Sequence, residues 1–452
     1  MQKYLFKNIS VVNEGKVYIT DVFIEKGRIA RIGNGLSVKE KIIEIDSEGK
    51  YLLPGVIDDQ VHFREPGLTD KADIYSESKA GLAGGVTSFM EMPNTLPNAL
   101  TQHILEDKYS LAATKSLANY SFYMGVSNEN TDEVLRTNDK RKKVCGVKIF
   151  LGSSTGNMLV DSEKALNRIF SESELLIATH CENEKIIKDN YEKLKQIKML
   201  TASDHPVIRN EAACYTSSSF AKGLAEKYGS RLHILHISTA KEIELFNNTI
   251  PLIKKRITAE VCVHHLHFTA DDYDRLGYLI KCNPAIKSPE NKEALWKGLL
   301  DDHLDVIATD HAPHLEEEKK GPYEHAHSGL PLVQHALPLM INYYRKGVLS
   351  MEKIVQKMSH SVADCFKIEN RGYIREGYFA DLVVLDIDRS QKVSKENLLY
   401  KCGWSPLEGE TFHSCIVNTF VNGHCVYTAP TDKYGNHLFD ESYHGERLTF
   451  NP

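Results

Sequence analysis

Short apolar runs of strand length recur along the middle of the chain, separated by amphipathic stretches of helical length. Eight such runs can be read: VIDDQVHF, VTSFMEMP, NYSFYMGV, VCGVKIFLG, LLIATHCEN, RLHILHIS, ITAEVCVHHL and DVIATDHAP. Between them lie segments such as DIYSESKAGLAGG, SEKALNRIFSES and RNEAACYTSSSFAKGLAEKYG, whose apolar residues repeat at helical spacing. Strands alternating with helices imply βα units around a parallel sheet, and eight units close a (β/α)8 barrel. The segments that begin at Glu182 and Thr269 are longer than usual connections and are expected to cross the barrel mouth.

The two ends of the chain follow another rhythm. KYLFKNISVV, VYITDVFIEKG and KIIEIDSEGKYLL alternate and turn at Gly and Asn, as do GYFADLVVLDID and CIVNTFVNGHCVYT, the last around Asn422-Gly423. That pattern favours a small antiparallel β domain assembled from both termini. The expected division is residues 1–53 with 368–430 for the β domain, 54–367 for the barrel, and 431–452 as a tail packing on the barrel or on a neighbouring subunit.

VIDDQVHFREPG, residues 56–67, carries unusual chemistry for a buried strand. Gln60 and His62 lie two apart and share a face, and Arg64 follows on the same alternation with a fork suited to a carboxylate. In a (β/α)8 barrel the chemistry sits at the C-terminal strand ends. Polar groups fall near those ends repeatedly: His62 on the first strand, Asn94 after the second, Lys148 on the fourth, His180 on the fifth, His236 on the sixth and Asp310 on the eighth. Read singly, His180 and His236 are satisfied core imidazoles and Lys148 an ion-paired cation. Their shared register favours a divalent-metal site, because imidazole and carboxylate are ligands of zinc. A desolvated lysine is neutral, and a neutral amine takes up carbon dioxide as a carbamate, an oxygen ligand able to bridge two metals. His233, three residues before His236, falls on the other strand face and reads as structural, as does Cys181 beside His180. His264, His265 and His267 match no metal-ligand spacing.

Composition narrows the context. A formal net charge of -6 gives no basic excess with which to neutralise phosphates, so nucleic acid is not an expected partner. The nine cysteines are scattered without a C-x-x-C pair, which implies reduced thiols and a cytoplasmic setting. No apolar run approaches the ~18 residues of a membrane span, and the N-terminus lacks a signal-peptide core.

PGVIDDQVHFREPG, MPNT at 92–95, GVKIF at 146–150, THCEN at 179–183, LHIST at 235–239, KCNPAIK at 281–287 and ATDHAPH at 308–314 together resemble the dihydroorotases of the amidohydrolase superfamily, nearly from end to end. GYFADLVVLD resembles the β-domain segment common in that superfamily. The resemblance implies zinc, one or two per subunit: His62 and Asp310 at one position, His180 and His236 at the other, and a carbamylated Lys148 bridging them. It implies Asp310 as acid and base, and Arg64, Asn94, Asn283 and His314 as substrate-holding residues. The implied reaction is the reversible cyclisation of N-carbamoyl-L-aspartate to L-dihydroorotate. Homo-oligomerisation is left open.

One residue departs from the family pattern. The first strand has H-x-H in the family, and here Gln60 takes the first position. A neutral amide oxygen is a weak zinc ligand. Two readings of different class therefore stand beside each other: an active dihydroorotase, or a non-catalytic homologue serving as scaffold partner to another pyrimidine-pathway enzyme. Hydantoinase or allantoinase activity is a third, against which Arg64 with Asn94 argues for a ring bearing a carboxylate.

Overall fold

The computed structural model describes residues 2–39, 41–45, 47–152, 158–430 and 436–452. All eight expected strands form, in chain order and parallel: Val56–Val61, Val86–Glu91, Asn119–Phe122, Val147–Phe150, Ile177–His180, Leu232–Ile234, Ile257–Cys262 and Val306–Ala308. Two joints close the ring. The third strand breaks at Tyr123, whose N–H donates to Glu91 at 3.1 Å while Met124 N–H donates to Gly146 at 3.1 Å, carrying the chain from one neighbour to the other. The first and eighth strands meet where His62 N–H donates to the His311 carbonyl at 2.7 Å.

Local chemistry sets the helices between them. Asp73, Thr101, Ser162, Asn183 and Asn210 each cap a helix through the side chain, and Gly229, at φ 67°, ends the longest one, Glu211–Tyr228. Alternation along the strands then sorts the core. Val147, Ile149, Ile177, Leu232, Ile234, Val261 and Ile307 pack outward against the helices. Ile57, Met90, Ala178, Leu235 and Val306 belong to a second cluster with Val362 and Phe366. The latter two lie on helix Ser361–Phe366, which follows a segment tied to the N-terminal strand ends by Lys357 Nζ donating to the Leu304 carbonyl at 2.6 Å. The opposite end is thus left open for a cavity.

Three differences from the sequence-based expectation have clear causes. The seventh strand stops at Cys262, and Val263–His267 is a short helix. Val263 and Leu266 are both fully buried in the same core, and residues three apart share a helix face but not a strand face. The terminal sheet has nine strands and is mixed rather than antiparallel: Tyr4–Asn13 runs parallel to Ile43–Ile45 and to Tyr51–Pro54. The last of these must enter in the direction that feeds Gly55 into the barrel. Its hairpins turn where expected, with positive φ at Glu14 and Gly15 and at Asn422 and Gly423. Of the expected tail, residues 431–435 lie outside the described residues. Leu438–Phe439 adds an edge strand to the sheet, and Tyr120 exchanges backbone bonds with Glu446 and Leu448 at 3.0 and 2.9 Å, so the tail packs on the barrel. No helix among the described residues is long and apolar enough to cross a membrane.

Candidate active site

The C-terminal strand ends surround a cavity lined by Gln60, His62, Arg64, Asn94, Lys148, Phe150, His180, His236, Asn283, Asp310, Ala312, Ser328 and Gly329. Nine of the ten residues singled out in the sequence are on that wall; His314 is not, and sits behind Arg64. Arg64, His236 and Asp310 have φ of 68°, 41° and 45°. Left-handed backbone costs a non-glycine residue about 1–3 kcal/mol and persists where the surroundings impose it. Here it follows directly on the strands and turns three polar side chains to one space.

On one side, His62 Nδ1 bonds Asn94 Oδ1 at 2.8 Å, which assigns the imidazole proton to Nδ1 and leaves the Nε2 lone pair facing Asp310 Oδ1 at 3.1 Å. Two acceptors directed at each other suit a cation between them. Burial lowers the His62 pKa against the pull of Asp310, which favours the neutral, ligating form. Gln60 Nε2 donates to the same Asp310 oxygen at 3.1 Å. As placed, Gln60 presents a donor to this position and not a ligand atom.

On the other side, His180 Nδ1 and His236 Nε2 approach to 3.0 Å, and His180 Nε2 donates to Glu182 Oε2 at 3.0 Å. Burial pushes the Glu182 carboxyl up, but Arg209 and His180 outweigh it and hold it at about 2. Glu182 is therefore a firm anion that fixes the His180 tautomer, the arrangement that raises the ligand strength of an imidazole. The sequence reading missed it, although its place two residues after His180 in THCEN was a usable signal. Glu182→Gln is expected to weaken zinc binding on this side by about 10- to 100-fold, measured by competition with a chromogenic chelator; unchanged affinity would make Glu182 a purely structural partner of Arg209.

Lys148 lies between the two sides. Its Nζ is buried with no hydrogen-bond partner among the described residues, 4.6 Å from the Phe150 ring centroid. Burial lowers its pKa to about 8, against the opposing pull of Asp310 and Glu260. An orphaned, readily neutral amine among three imidazoles and a carboxylate fits a lysine that acquires an anionic group, and the whole donor set fits a divalent metal.

Arg64 is 3% exposed, yet among the described residues no carboxylate pairs with it. Its Nε donates to the Pro313 carbonyl at 3.0 Å and its terminal nitrogen meets His314 Nε2 at 3.1 Å. Burial lowers its pKa only to about 10, so the guanidinium stays charged. Asn283 Oδ1 is held by His205 Nε2 at 3.1 Å, leaving its amide N–H groups as donors. Gly329, at φ 142°, completes the wall where an added Cβ would come 2.3 Å from the Ala312 carbonyl; no sequence pattern marked it.

Residues 51–426 match the amidohydrolase family. The chain is 32% identical over 419 residues to the dihydroorotase of Methanosarcina mazei, covering 89% of this chain and 90% of that protein. It is 33% identical over 435 residues to the dihydroorotase of Carboxydothermus hydrogenoformans, covering 93% and 96%. Among solved structures it resembles the L-hydantoinase of Arthrobacter aurescens, with a TM-score of 0.92 at 26% identity over 99% of this chain and 100% of the other. The chain belongs to the amidohydrolase family and, within it, to the dihydroorotases. It is a metal-dependent cyclic amide hydrolase with a (β/α)8 barrel and a small β domain.

Proposed function

We propose that this enzyme interconverts N-carbamoyl-L-aspartate and L-dihydroorotate, with Arg64 holding the carboxylate that distinguishes dihydroorotate from a simple hydantoin. The observation that carries this reading is the buried Arg64 guanidinium, which has no carboxylate partner among the described residues. A substrate carboxylate meets that charge in a bidentate pair. His314 braces the guanidinium from behind, Asn94 adds a polar group beside it, and Asn283 offers amide donors to the ring edge.

His62 and Asp310, His180 and His236, and a carbamate on Lys148 would hold one or two zinc ions. When bound, zinc supplies polarisation of the scissile ring carbonyl and a water acidic enough to attack at neutral pH. Asp310 takes the proton that this water loses and delivers it to the ring nitrogen as the C–N bond breaks. In the reverse direction Asp310 takes a proton from the carbamoyl nitrogen as that nitrogen attacks the side-chain carboxyl, and water leaves. Arg64 holds the other carboxylate throughout, so that the attacked carbon stays against Asp310.

Assay of the ring with and without its carboxylate tests this reading. Turnover of dihydroorotate well above that of hydantoin or dihydrouracil is expected; the opposite order would move the enzyme to the hydantoinases. The donor that Gln60 presents toward Asp310 favours a second reading, a weakened first metal position in a non-catalytic scaffold. Gln60→His should raise the metal content per chain, as read by elemental analysis, and with it the rate; unchanged content and rate would show that Gln60 limits neither.

A further inference from the structure

Below the cavity, inside the barrel, a second set of ligand-type side chains is wholly buried. Asp59, His233 and Glu260 have 0% side-chain exposure, and one ligand atom from each lies within 4.8 Å of the others. None of the three lines the cavity. Asp59 sits where the pairing of the first strand shifts register between Asp58 and Val61. His233, expected to face away from the site, instead points into the barrel at Asp59.

Neighbouring hydrogen bonds decide what each group presents. The Thr258 hydroxyl donates to the Leu232 carbonyl at 3.3 Å, so it accepts from His233 Nδ1 at 2.7 Å. His233 Nε2 is then a lone pair, and it faces Asp59 Oδ2 at 3.1 Å and Glu260 Oε2 at 3.9 Å. Glu260 Oε1 is already occupied by the His236 N–H at 2.8 Å and the Cys262 thiol at 3.2 Å, which turns Oε2 to the imidazole. Among the described residues, His233 Nε2, Glu260 Oε2 and both Asp59 oxygens have no hydrogen-bond partner. Acceptors converge on one point with no donor, and isolated buried charge of this kind is strongly disfavoured. Burial and the neighbouring Asp59 push the Glu260 carboxyl up, and a proton there satisfies a single contact, whereas a divalent cation meets all three groups and balances both carboxylates.

We infer that Asp59, His233 and Glu260 form a divalent-metal site in the floor of the barrel, separate from the positions proposed in the cavity. Two carboxylate oxygens and one imidazole nitrogen suit zinc or manganese(II). Ligand atoms about 2.1 Å from one ion stand about 3.1 to 3.9 Å apart at angles of about 95° to 135°, the span of the two separations seen here. Thr258 behind His233, and Cys262 with the His236 N–H behind Glu260, are the outer partners that such ligands need. The last of these bonds gives the site a task. By fixing Glu260, the floor ion steadies the backbone of His236 in its left-handed conformation at the cavity wall.

The test uses the whole protein, stripped with chelator and re-equilibrated with zinc alone or manganese alone. Anomalous diffraction should show a peak bonded to Asp59, His233 and Glu260. Asp59→Asn should lose that peak and about one metal equivalent per chain, whereas His180→Ala should lose metal without losing the floor peak. A floor peak with an empty cavity would support this site and overturn the cavity assignment. Cavity peaks without a floor peak, or unchanged metal content in Asp59→Asn, would overturn this site. Should Asp59→Asn fail to fold, diffraction from the unaltered chain decides the matter alone.

Discussion

Asp310→Asn is expected to lower kcat for dihydroorotate by about 10²- to 10⁴-fold, the range over which a positioned proton carrier acts. The substitution keeps the size of the side chain and one oxygen able to face His62 Nε2, which Asp310 Oδ1 meets at 3.1 Å. It removes the ability to accept a proton from the attacking water and return it to the ring nitrogen. Because the residue is 8% exposed and held in a left-handed conformation by the barrel rim, water does not readily replace it. Steady-state kinetics in both directions, with circular dichroism as a control for folding, measure the effect. A variant that keeps more than a tenth of the wild-type kcat would place the proton transfer on another group.

Arg64→Met is expected to lower kcat/KM for dihydroorotate by about 30- to 150-fold, the loss of a charge-assisted pair of about 2–3 kcal/mol. Methionine fills comparable space and carries no charge, so the His314 ring and the Pro313 carbonyl remain to shape the pocket. For a ring without a carboxylate the same variant should change kcat/KM less than about 3-fold, since no charged pair is lost. Equal losses on both rings would mean that Arg64 supports the wall of the site and does not read the substrate.

The barrel strands were legible in the sequence because each is a short apolar run set between stretches of helical spacing, a pattern visible without neighbours. The placement of His62, His180 and Asp310 followed from their position at the ends of those runs and from the rule that barrel chemistry gathers at one end. What was hidden depends on groups distant in the chain. Spacing from His236 puts His233 on the other strand face, but the chain leaves strand geometry after Ile234 and His236 is in a left-handed conformation, so parity does not hold between them. Sequence alone leaves His264 and His265 on the strand, because the shared core burial of Val263 and Leu266 exists only once the helices have packed. His314 belongs to the family motif, yet its place behind Arg64 rests on bonds with Arg64 and Lys71, some 250 residues earlier, at 3.1 and 3.2 Å. Glu182 stands at the same strand end as His180, two residues on, and the strand-end argument extends to it.

Gln60 concentrates what is at stake in the site, for it donates to Asp310 where the family pattern has an imidazole. The most direct test is metal content and dihydroorotase turnover determined on one purified preparation. One to two zinc equivalents per chain in the cavity, beside the ion of the barrel floor, with interconversion of dihydroorotate and carbamoyl aspartate that is lost on chelation and regained with zinc, is the predicted result. Tightly bound zinc with no turnover in either direction would contradict it, and would leave the chain a dihydroorotase-like scaffold.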